Sequence, residues 1–417
     1  MNELTRRRFL QTGPALIGGA AAAGSTLWLP AQAAPAGQSV PSAEAIRVGI
    51  IGTGSRGTYL AKLSQDVPDL RIVACCDLIP EHLEQGLKRA TPGAKGYDDY
   101  RKLLDDKTID AVIVATPQSL HHAIAMAAVD ADKHIYCEKT LTYSPAETAT
   151  LARKVRAGKK VFQVGFQERT NPLHHKIKQL IADGVAGQIT HVAAQYSYHT
   201  SQRNKVDPRY ERLLNWRVYR EFTGGPLDEL SAHQIDIVQF ILDTKPVKAV
   251  GLGGMNYYPG ERETYDNVQV VYEYANGIKG TFTCLMTTDY LGYSILFYGT
   301  KATIEIWNVD GNRANIYFEH DPSREAAKPK ETVDGISGAT RRVWSRADPV
   351  PIMVNNQPRW DTETSTGSLR HFAQCVRTNG QPISNIETGG ISANTVHMGN
   401  AAMQSGTVET WSPKYVF

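Results

Sequence analysis

Short apolar runs recur through the first third of the chain, and segments with helical spacing of their apolar positions follow them. Continuously apolar strands are typical of a parallel sheet whose two faces are both covered by helices. The predicted strands are Ile46–Ile51, Leu70–Cys76, 109–115, 133–137 and 161–165, and two of the predicted helices are 121–129 and 145–156. This alternation predicts an α/β fold, a doubly wound parallel sheet, for residues 46–165.

The pattern changes after residue 165, where apolar and polar positions alternate along several runs, as in strands with one buried face. Asn276-Gly277 stands between two such runs and is a strong hairpin signal. The predicted strands are 188–198, 245–258, 268–274, 277–286, 294–298, Ala302–Trp307 and 314–318, followed by a polar, irregular segment 319–358 and helices over 367–379 and 388–404. Residues 166–417 are therefore predicted to form an α+β domain with an open, largely antiparallel sheet. Its last helices should brace the first domain, and its outer sheet face should support a homo-oligomer.

The residues before this fold have the order of an export signal. Arg6 and Arg7 precede Phe9 and an apolar run over 15–29, and Ala31-Gln32-Ala33 offers the small residues of a cleavage site. This order predicts a twin-arginine (Tat) signal peptide over residues 1–33 and a linker over 34–45. An uncleaved membrane anchor is the weaker alternative, because the run is short and interrupted by glycines. The predicted location is the periplasm, with only transient membrane contact during export.

Composition and charge exclude several classes of function. The chain has 45 Lys and Arg against 42 Asp and Glu, a formal net charge of +3, and no basic stripe interleaved with aromatic residues. Nucleic acid is therefore not expected as a partner. The five cysteines show no metal-ligand spacing, so we expect no metal site and interpret them as core residues, with a single disulfide as the alternative.

The turn after the first predicted strand carries the most informative motif, Gly52-x-Gly54-x-x-Gly57, and the next predicted strand ends just before Asp77. Strand, glycine turn, helix, strand and acid together indicate a dinucleotide site. Gly52 permits the sharp turn, Gly54 admits a pyrophosphate to the helix N-terminus, and Gly57 allows close helix packing. Asp77 would bind the ribose hydroxyls and repel a 2′-phosphate, which favours NAD over NADP. The predicted cofactor residues here are Gly52, Gly54, Ser55, Arg56, Gly57 and Asp77.

Two later strands also end in polar residues, Thr116-Pro117 with His121 beyond, and Glu138-Lys139. The carboxyl ends of parallel strands form the ligand crevice of doubly wound folds. Lys139 can therefore reach the nicotinamide side, where a positive charge would lower its pKa and suit it to proton transfer. An ordinary surface lysine paired with Glu138 is the alternative. The predicted cofactor contacts of this edge are Thr116, Pro117, His121 and Glu138.

A second cluster of candidates follows Gly224-Gly225, where residues 226–238 have helical spacing. Glu229 and His233 lie four residues apart and share one predicted face, so the carboxylate could orient the imidazole and raise its basicity. Asp236 flanks that face. The pattern favours a general base, and a surface salt link is the alternative. A metal site is less favoured, because two ligands without a third do not make one.

From about Ile46 to Phe417 the chain resembles the Gfo/Idh/MocA oxidoreductase family. The matching motifs are Glu138-Lys139-Thr140 for Glu-Lys-Pro, Gly224-Gly225 with Glu229-x-x-x-His233 for Gly-Gly with Asp-x-x-x-His, Val164-Gly165-Phe166, and Gly187-x-Ile189. The resemblance implies an N-terminal Rossmann domain that binds NAD and a second domain that binds substrate. It also implies that Lys139 and His233 flank the reacting carbinol, with Glu229 orienting the sugar or His233.

Three positions depart from the family pattern. Thr140 stands in place of proline and is expected to loosen the turn that holds Lys139. Glu229 is one methylene longer than the usual aspartate, which leaves its role open. Gln118, where the family often has asparagine, is expected to hydrogen-bond the cofactor or the substrate.

Aromatic residues supply further candidates. Trp216 and Arg217 resemble a segment of the exported branch of the family and are further predicted cofactor residues. Trp216 could stack on the cofactor or on a pyranose, and Arg217 could clamp a phosphate or hydroxyls; a buried tryptophan with a snorkelling arginine is the alternative. Strand alternation places Tyr196 and Tyr198 on one face and His199 on the other. They could bind a sugar, but the solvent face of the strand is favoured for them.

The sequence therefore predicts a periplasmic, NAD-dependent oxidoreductase that exchanges hydride with a sugar carbinol. The periplasm has no pool of free NAD, so the cofactor should stay tightly bound. The first alternative is an NAD-dependent glycoside hydrolase or lyase, in which transient oxidation at C3 permits elimination with no net redox change; Tyr196, Tyr198 or Tyr219 would be its extra base. The second alternative is a non-catalytic NAD-binding protein, against which the Lys139 and His233 pair stands.

Overall fold

The computed structural model describes residues 45–307, 313–319, 348–354 and 362–417. The predicted signal peptide, the predicted linker up to residue 44 and most of the 319–358 segment lie outside the described residues. Within the described part of the chain, no helix is both long enough and apolar enough to cross a membrane.

The first domain is built on a six-stranded sheet in which every neighbouring pair is parallel, as predicted. Its strands are β1 (Ile46–Ile51), β2 (Leu70–Cys76), β3 (Lys95–Tyr97), β4 (Ala111–Val114), β5 (His134–Cys137) and β6 (Phe162–Val164). Its helices are α1 (Ser55–Ser64), α2 (Pro80–Arg89), α3 (Tyr100–Asp105), α4 (Gln118–Asp130) and α5 (Pro145–Ala157). All four residues of β4 are buried, because helices cover both faces of the sheet.

The strand order is β3-β2-β1-β4-β5-β6, so the direction of winding reverses between β1 and β4. In open sheets of this kind, the crevice at such a switch point binds the ligand. The turn at Gly52 follows β1, and Thr116 lies just beyond β4. The topology thus brings two of the predicted cofactor segments to one crevice.

The second domain is built on a nine-stranded mixed sheet, in which only the β7 and β10 pair is parallel within the described residues. Its strands are β7 (Ile189–Ser197), β8 (Pro246–Gly254), β9 (Asn267–Tyr274), β10 (Lys279–Leu285), β11 (Tyr293–Gly299), β12 (Ala302–Trp307), β13 (Arg313–Phe318), β14 (Val350–Pro351) and β15 (Glu409–Thr410). Asn276-Gly277 forms the predicted hairpin turn between β9 and β10, where Gly277 has φ +82°. The strand predicted over 245–258 ends earlier, at Gly254.

The helices of the second domain are α6 (Pro172–Ala182), α7 (Glu211–Leu214), α8 (Ala232–Leu242), α9 (Thr362–Thr378) and α10 (Ile386–Ser405). As predicted, the last two brace the first domain. Leu369 and Phe372 of α9 share a core with Val48 and Ile113 of the first sheet. Helix α10 packs against α5 on one side and β8 on the other. One apolar core is therefore continuous between the two sheets, which fixes the crevice between them.

All five cysteines are buried and unpaired, so the interpretation of them as core residues is confirmed.

Candidate active site

In the glycine turn after β1, two glycines face neighbouring protein atoms and the third faces open space. A Cβ on Gly52, which has φ +89°, would lie 2.7 Å from the Ala115 carbonyl oxygen, and one on Gly57 would lie 1.9 Å from the Gly52 oxygen. Neither position can carry a side chain. A Cβ on Gly54 would meet only His82, at 3.7 Å, so this glycine faces open space. The turn is therefore shaped to let a ligand approach the backbone at Gly54.

The groups around this turn fit a dinucleotide. Helix α1 begins at Ser55 without a capping side chain, so its first N–H groups can receive a pyrophosphate. The Thr116 hydroxyl is buried beside the same crevice and has no hydrogen-bond partner among the described residues. An open glycine cradle, an uncapped helix and an orphaned hydroxyl are what such a cofactor would require.

Asp77 lies just beyond the end of β2, as predicted. Its Oδ2 accepts a hydrogen bond from the Thr53 backbone N–H at 2.7 Å, and its Oδ1 accepts one from the Ile79 N–H at 2.9 Å. These bonds fix the carboxylate at the end of the crevice where an adenosine ribose would lie. His82 stands 3.8 Å from the same carboxylate, a neighbour that the sequence did not indicate.

A cavity of about 380 Å³ extends from the glycine turn into the second domain. It gathers most of the predicted site residues: Gly54, Ser55, Arg56, Thr116, Glu138, Lys139, Trp216, Arg217, Glu229 and His233. Three further residues line it, Ala115, Gln167 and Tyr196. Tyr196 was favoured as a solvent-facing strand residue, and that reading is wrong. Tyr198 is 51% exposed, in agreement with it.

Lys139 occupies the strand end from which it was predicted to act. Its ammonium donates a hydrogen bond to the Glu229 carbonyl oxygen at 2.7 Å. Burial lowers the pKa of Lys139, and the positive charges of Arg217 and Arg56 lower it further, while Glu229 and Glu138 oppose the shift. The alternative of an ordinary surface lysine paired with Glu138 does not describe this side chain.

His233 faces the same cavity from the first turn of α8. Its ring packs edge-on against Phe166, with 6.3 Å between ring centroids. Burial, followed by the positive charges of Lys139 and Arg56, holds the pKa of His233 well below its usual value. The imidazole is therefore neutral at pH 7 and can accept a proton.

Glu229 does not contact His233 in the predicted way. Residues Leu227–Ser231 form a π-helical turn ahead of α8, so the simple four-residue spacing does not hold there. The Glu229 carboxylate accepts hydrogen bonds from Arg217 at 3.2 Å and from the Thr223 hydroxyl at 3.3 Å. Its backbone oxygen, rather than its side chain, contacts the catalytic candidate Lys139.

Asp236 was expected to flank the face of His233, and this placement is wrong. Its carboxylate is buried and accepts three hydrogen bonds from the guanidinium of Arg169, at 2.8–3.1 Å. The Ser392 hydroxyl adds another at 2.7 Å. Asp236 is therefore a structural partner that joins α8 to the start of the second domain.

The side chains of Gln118 and Thr140 form hydrogen bonds inside the protein. Gln118 is 1% exposed and donates hydrogen bonds to the Thr142 carbonyl and to Asp228, which corrects its predicted contact with cofactor or substrate. Thr140 is fully buried, and its hydroxyl donates to the Asp228 carbonyl at 2.9 Å. The peptide bond between Lys139 and Thr140 is cis. With its hydroxyl bonded in this way, Thr140 anchors the turn rather than loosening it.

Asp228 is the residue at the centre of this junction, and sequence reasoning missed it. Its carboxylate accepts hydrogen bonds from Gln118 at 2.7 Å and from Asn400 at 2.6 Å. A Cβ on Gly224 would lie 2.3 Å from the same carboxylate, so a glycine is needed there. Asp228 ties the first domain, the π-helical turn and α10 together behind Lys139.

We expect this carboxyl to make stability depend on pH. Burial raises the pKa of Asp228 to about 6, against the opposing hydrogen bonds from Asn400 and Gln118. The folded chain therefore binds this proton more tightly, which adds stability below pH ~4 that is lost as the pH rises through about 6. Asp228→Asn should reduce the change in the free energy of unfolding between acid and neutral pH by about 3 kcal/mol. Urea unfolding of both proteins at acid and neutral pH measures it, and parallel pH curves would contradict the assignment.

Besides Gly52, Gly57 and Asp77, two predicted cofactor residues, His121 and Pro117, lie outside the cavity lining. His121 is 1% exposed, and its ring nitrogens lie 2.9 Å from the carbonyl oxygens of Thr140 and Thr116. It connects the ends of two strands, which corrects the predicted side-chain contact with cofactor. Pro117 stands before α4 as its N-cap residue.

The remaining charges in the cavity are paired. Arg56 donates to Glu138 at 2.8 Å, and the Arg217 guanidinium lies 4.3 Å from the centre of the Trp216 ring. Of the three cations that line the cavity, Arg56 thus pairs with Glu138, and Arg217 pairs with Glu229.

A doubly wound sheet with a dinucleotide cradle at its switch point, facing a lysine and a histidine, defines a nicotinamide-dependent oxidoreductase. Sequence profiles identify the group. The profile of the oxidoreductase family NAD-binding Rossmann fold matches residues 46–166, and that of the C-terminal alpha/beta domain matches residues 178–410. The chain belongs to the Gfo/Idh/MocA oxidoreductase family.

Individual relatives are distant. Inositol 2-dehydrogenase of Salmonella typhimurium is 28% identical over 258 residues, which cover 60% of this chain and 70% of that protein. The scyllo-inositol 2-dehydrogenase (NAD(+)) of Bacillus subtilis is 26% identical over 343 residues, which cover 81% of this chain and 88% of that protein. A solved structure of levoglucosan dehydrogenase with NADH and levoglucosan has a TM-score of 0.71 at 21% identity, over 88% of this chain and 98% of that one. The structure of aldose-aldose oxidoreductase from Caulobacter crescentus has a TM-score of 0.69 at 16% identity, and the match covers 88% of this chain and 99% of that one. The two structures share the fold.

Proposed function

We propose that the protein oxidises a ring carbinol of a cyclic polyol or sugar, or reduces the corresponding ketone, with NAD as the hydride partner. The observation that carries the proposal is the single cavity in which Lys139 and His233 lie together with the open cradle at Gly54. The names of the inositol dehydrogenase relatives support this substrate class. When bound, the nicotinamide ring supplies the hydride acceptor for the carbinol carbon.

The side chains divide the remaining work. The neutral imidazole of His233 accepts the hydroxyl proton, because its lowered pKa keeps it unprotonated at pH 7. The Lys139 ammonium donates a hydrogen bond to the carbinol oxygen and stabilises the negative charge that develops there. The carboxylate of Glu229, fixed by Arg217 and Thr223, accepts hydrogen bonds from other substrate hydroxyls.

The decisive experiment is a substrate panel. Purified protein supplied with NAD is incubated with inositols, aldoses, anhydrosugars and aryl glycosides, while NADH absorbance and products are followed together. We expect a cyclic polyol or sugar to yield NADH and the matching ketone. If no carbinol in the panel changes the redox state of the nucleotide, the proposal is rejected.

A redox-neutral glycoside hydrolase or lyase is the second candidate. The observation in its favour is Tyr196, which lines the cavity alongside Lys139 and His233 and could remove the proton next to a transiently oxidised carbon. Cleavage of an aryl glycoside with no net NADH, abolished by Tyr196→Phe, would select this function over simple dehydrogenation.

Cofactor choice should depend on Asp77. Because the carboxylate repels a 2′-phosphate, we expect the wild-type protein to bind NAD more tightly than NADP, and Asp77→Ala to weaken NAD and narrow that difference. Calorimetric titration of both nucleotides measures the ratio. A wild-type preference for NADP would show that Asp77 does not have this role.

We further propose that the protein acts in the periplasm with its NAD retained, since no free pool could replace a released cofactor. The support is Arg6 and Arg7 ahead of the apolar run, a signal for export of folded proteins. Replacing both arginines with lysine should leave the precursor in the cytoplasm, as cell fractionation would show. Unchanged periplasmic recovery would refute export by this route.

A further inference from the structure

Gln167 presents an unused amide at the cavity wall. The residue is 7% exposed and lines the cavity, yet its Oε1 is buried with no hydrogen-bond partner among the residues that the structure describes. The great majority of buried polar side-chain atoms in proteins are paired. An unpaired amide at the wall of a binding cavity is therefore a candidate for contact with the ligand.

The position of Gln167 is at the reacting end of the cavity. It follows Phe166 directly, and the Phe166 ring packs against His233. It also opens the short 3-10 helix Gln167–Thr170, at the passage from the first domain into the second. Gln167 and the proposed proton acceptor His233 line the same cavity, whereas Asp77, at the adenosine end, does not.

This position is held rigidly. Arg169 lies two residues after Gln167 and binds Asp236, which lies three residues after His233 on α8. The planar guanidinium makes three hydrogen bonds to one carboxylate, and both side chains are almost completely buried. The pair joins the 3-10 helix to α8, so Gln167 and His233 keep a fixed separation, as a contact that selects substrates requires.

The other side chains that line the cavity offer a substrate more hydrogen-bond donors than free acceptors. Lys139, Arg56 and Arg217 can only donate hydrogen bonds. The carboxylates of Glu138 and Glu229 each accept from an arginine, which leaves only part of their acceptor capacity for other substrate hydroxyls. A polyol hydroxyl must donate its proton as well as accept one, and Gln167 Oε1 is an acceptor that no described residue uses.

We propose that Gln167 contacts the substrate and selects it: a turn of its terminal amide brings the buried Oε1 to the cavity, where it accepts a hydrogen bond from the hydroxyl on the ring carbon next to the reacting carbinol. The inference rests on the proposed function, because it takes a polyol or sugar as the ligand. A substrate that lacks this hydroxyl would leave the amide unpaired and would be discriminated against for that reason.

Gln167→Met tests this inference, because methionine keeps the length of the side chain and removes its polar atoms. For the best substrate of the panel, kcat/KM should fall by about tenfold or more. The analogue without the neighbouring hydroxyl should be used equally well by both proteins, and NAD affinity should be unchanged. The melting temperature should stay the same or rise, because an unpaired buried amide is replaced by an apolar chain.

Gln163→Met is the matched control. Gln163 is 1% exposed, its Oε1 also lacks a partner among the described residues, and its Nε2 donates to Ser368 at 3.0 Å, away from the cavity lining. This variant should melt at a lower temperature without altering the preference between the two substrates. A Gln167→Met protein that likewise melts lower and keeps the wild-type preference would show that the amide is structural, and would overturn the inference.

Failure of the proposed function can be recognised separately. If no member of the panel is oxidised, substrate binding is measured instead. The melting temperatures of the wild type and of Gln167→Met, both supplied with NAD, are compared with and without saturating myo-inositol. A shift in the wild type that is lost in Gln167→Met supports the contact. An equal shift in both proteins, or no shift in the wild type, overturns it.

Discussion

Lys139→Met and His233→Ala should each lose turnover by about a hundredfold to ten-thousandfold, the usual share of a positioned acid or base. Both side chains face the cavity, and neither belongs to the glycine turn that would hold the nucleotide. Binding of NAD should therefore be retained in each variant. Because the two residues would act on one oxygen, the double variant should lose much less than the product of the single losses.

Lys133→Met is the control for the lysine. Lys133 stands at the opposite end of β5, is 4% exposed, and donates to the carbonyl oxygens of Asp106 and Ile109 at 2.9 Å and 2.7 Å. Like Lys139, it is a buried ammonium bonded to backbone, but it lies far from the crevice. The control should lose stability and keep its kcat. Near-normal turnover in both Lys139→Met and His233→Ala would remove this pair from the mechanism.

The pH profile adds an independent check on His233. Since its pKa is lowered, the imidazole should stay neutral and active below the usual titration range of histidine, with loss of oxidation only at more acid pH. Lys139 is one of the charges that lower this pKa. In the residual activity of Lys139→Met, the acid limb should consequently move to higher pH, and an unmoved limb would assign the titration to another group.

Gly54→Ala should abolish most nucleotide binding and leave the fold intact. The added methyl would meet nothing in the protein nearer than His82 at 3.7 Å, and the backbone there has φ −63°. It would instead occupy the space through which a pyrophosphate approaches α1. We expect the Kd for NAD to rise about ten- to a hundredfold, from the cost of crowding a fitted contact, with the melting temperature of the nucleotide-free protein unchanged.

Gly57→Ala serves as the contrast, because this substitution should lower stability as well as nucleotide binding. Its methyl would lie 1.9 Å from the Gly52 oxygen, which is inside the protein, so stability should fall along with binding. Gly158→Ala, whose methyl would come no closer than 3.4 Å to any neighbour, should change neither property. Calorimetric titration and thermal unfolding of the three variants separate these outcomes. Unchanged NAD affinity in Gly54→Ala would place the pyrophosphate elsewhere.

The sequence by itself determined the two sheets and the glycine turn. Continuous apolar runs located the parallel strands, and Asn276-Gly277 located the β9–β10 hairpin, because burial periodicity and turn geometry are properties of a few neighbouring residues. The spacing of Gly52, Gly54 and Gly57 likewise specified a local backbone shape. Lys139 could be placed because it stands one residue beyond a strand end, and the ends of parallel strands meet at one edge.

Only the tertiary structure decided which side chains pair around Lys139 and His233. Spacing along a helix predicted a contact between Glu229 and His233, but the π-helical turn at 227–231 shifts that register, and Glu229 binds Arg217 instead. Asp228 binds Gln118, 110 positions away, and Asn400, 172 positions away. Periodicity within one element carries no information about partners on another element. The roles of Asp228 and Gln167 therefore became visible only when the fold brought those distant segments together.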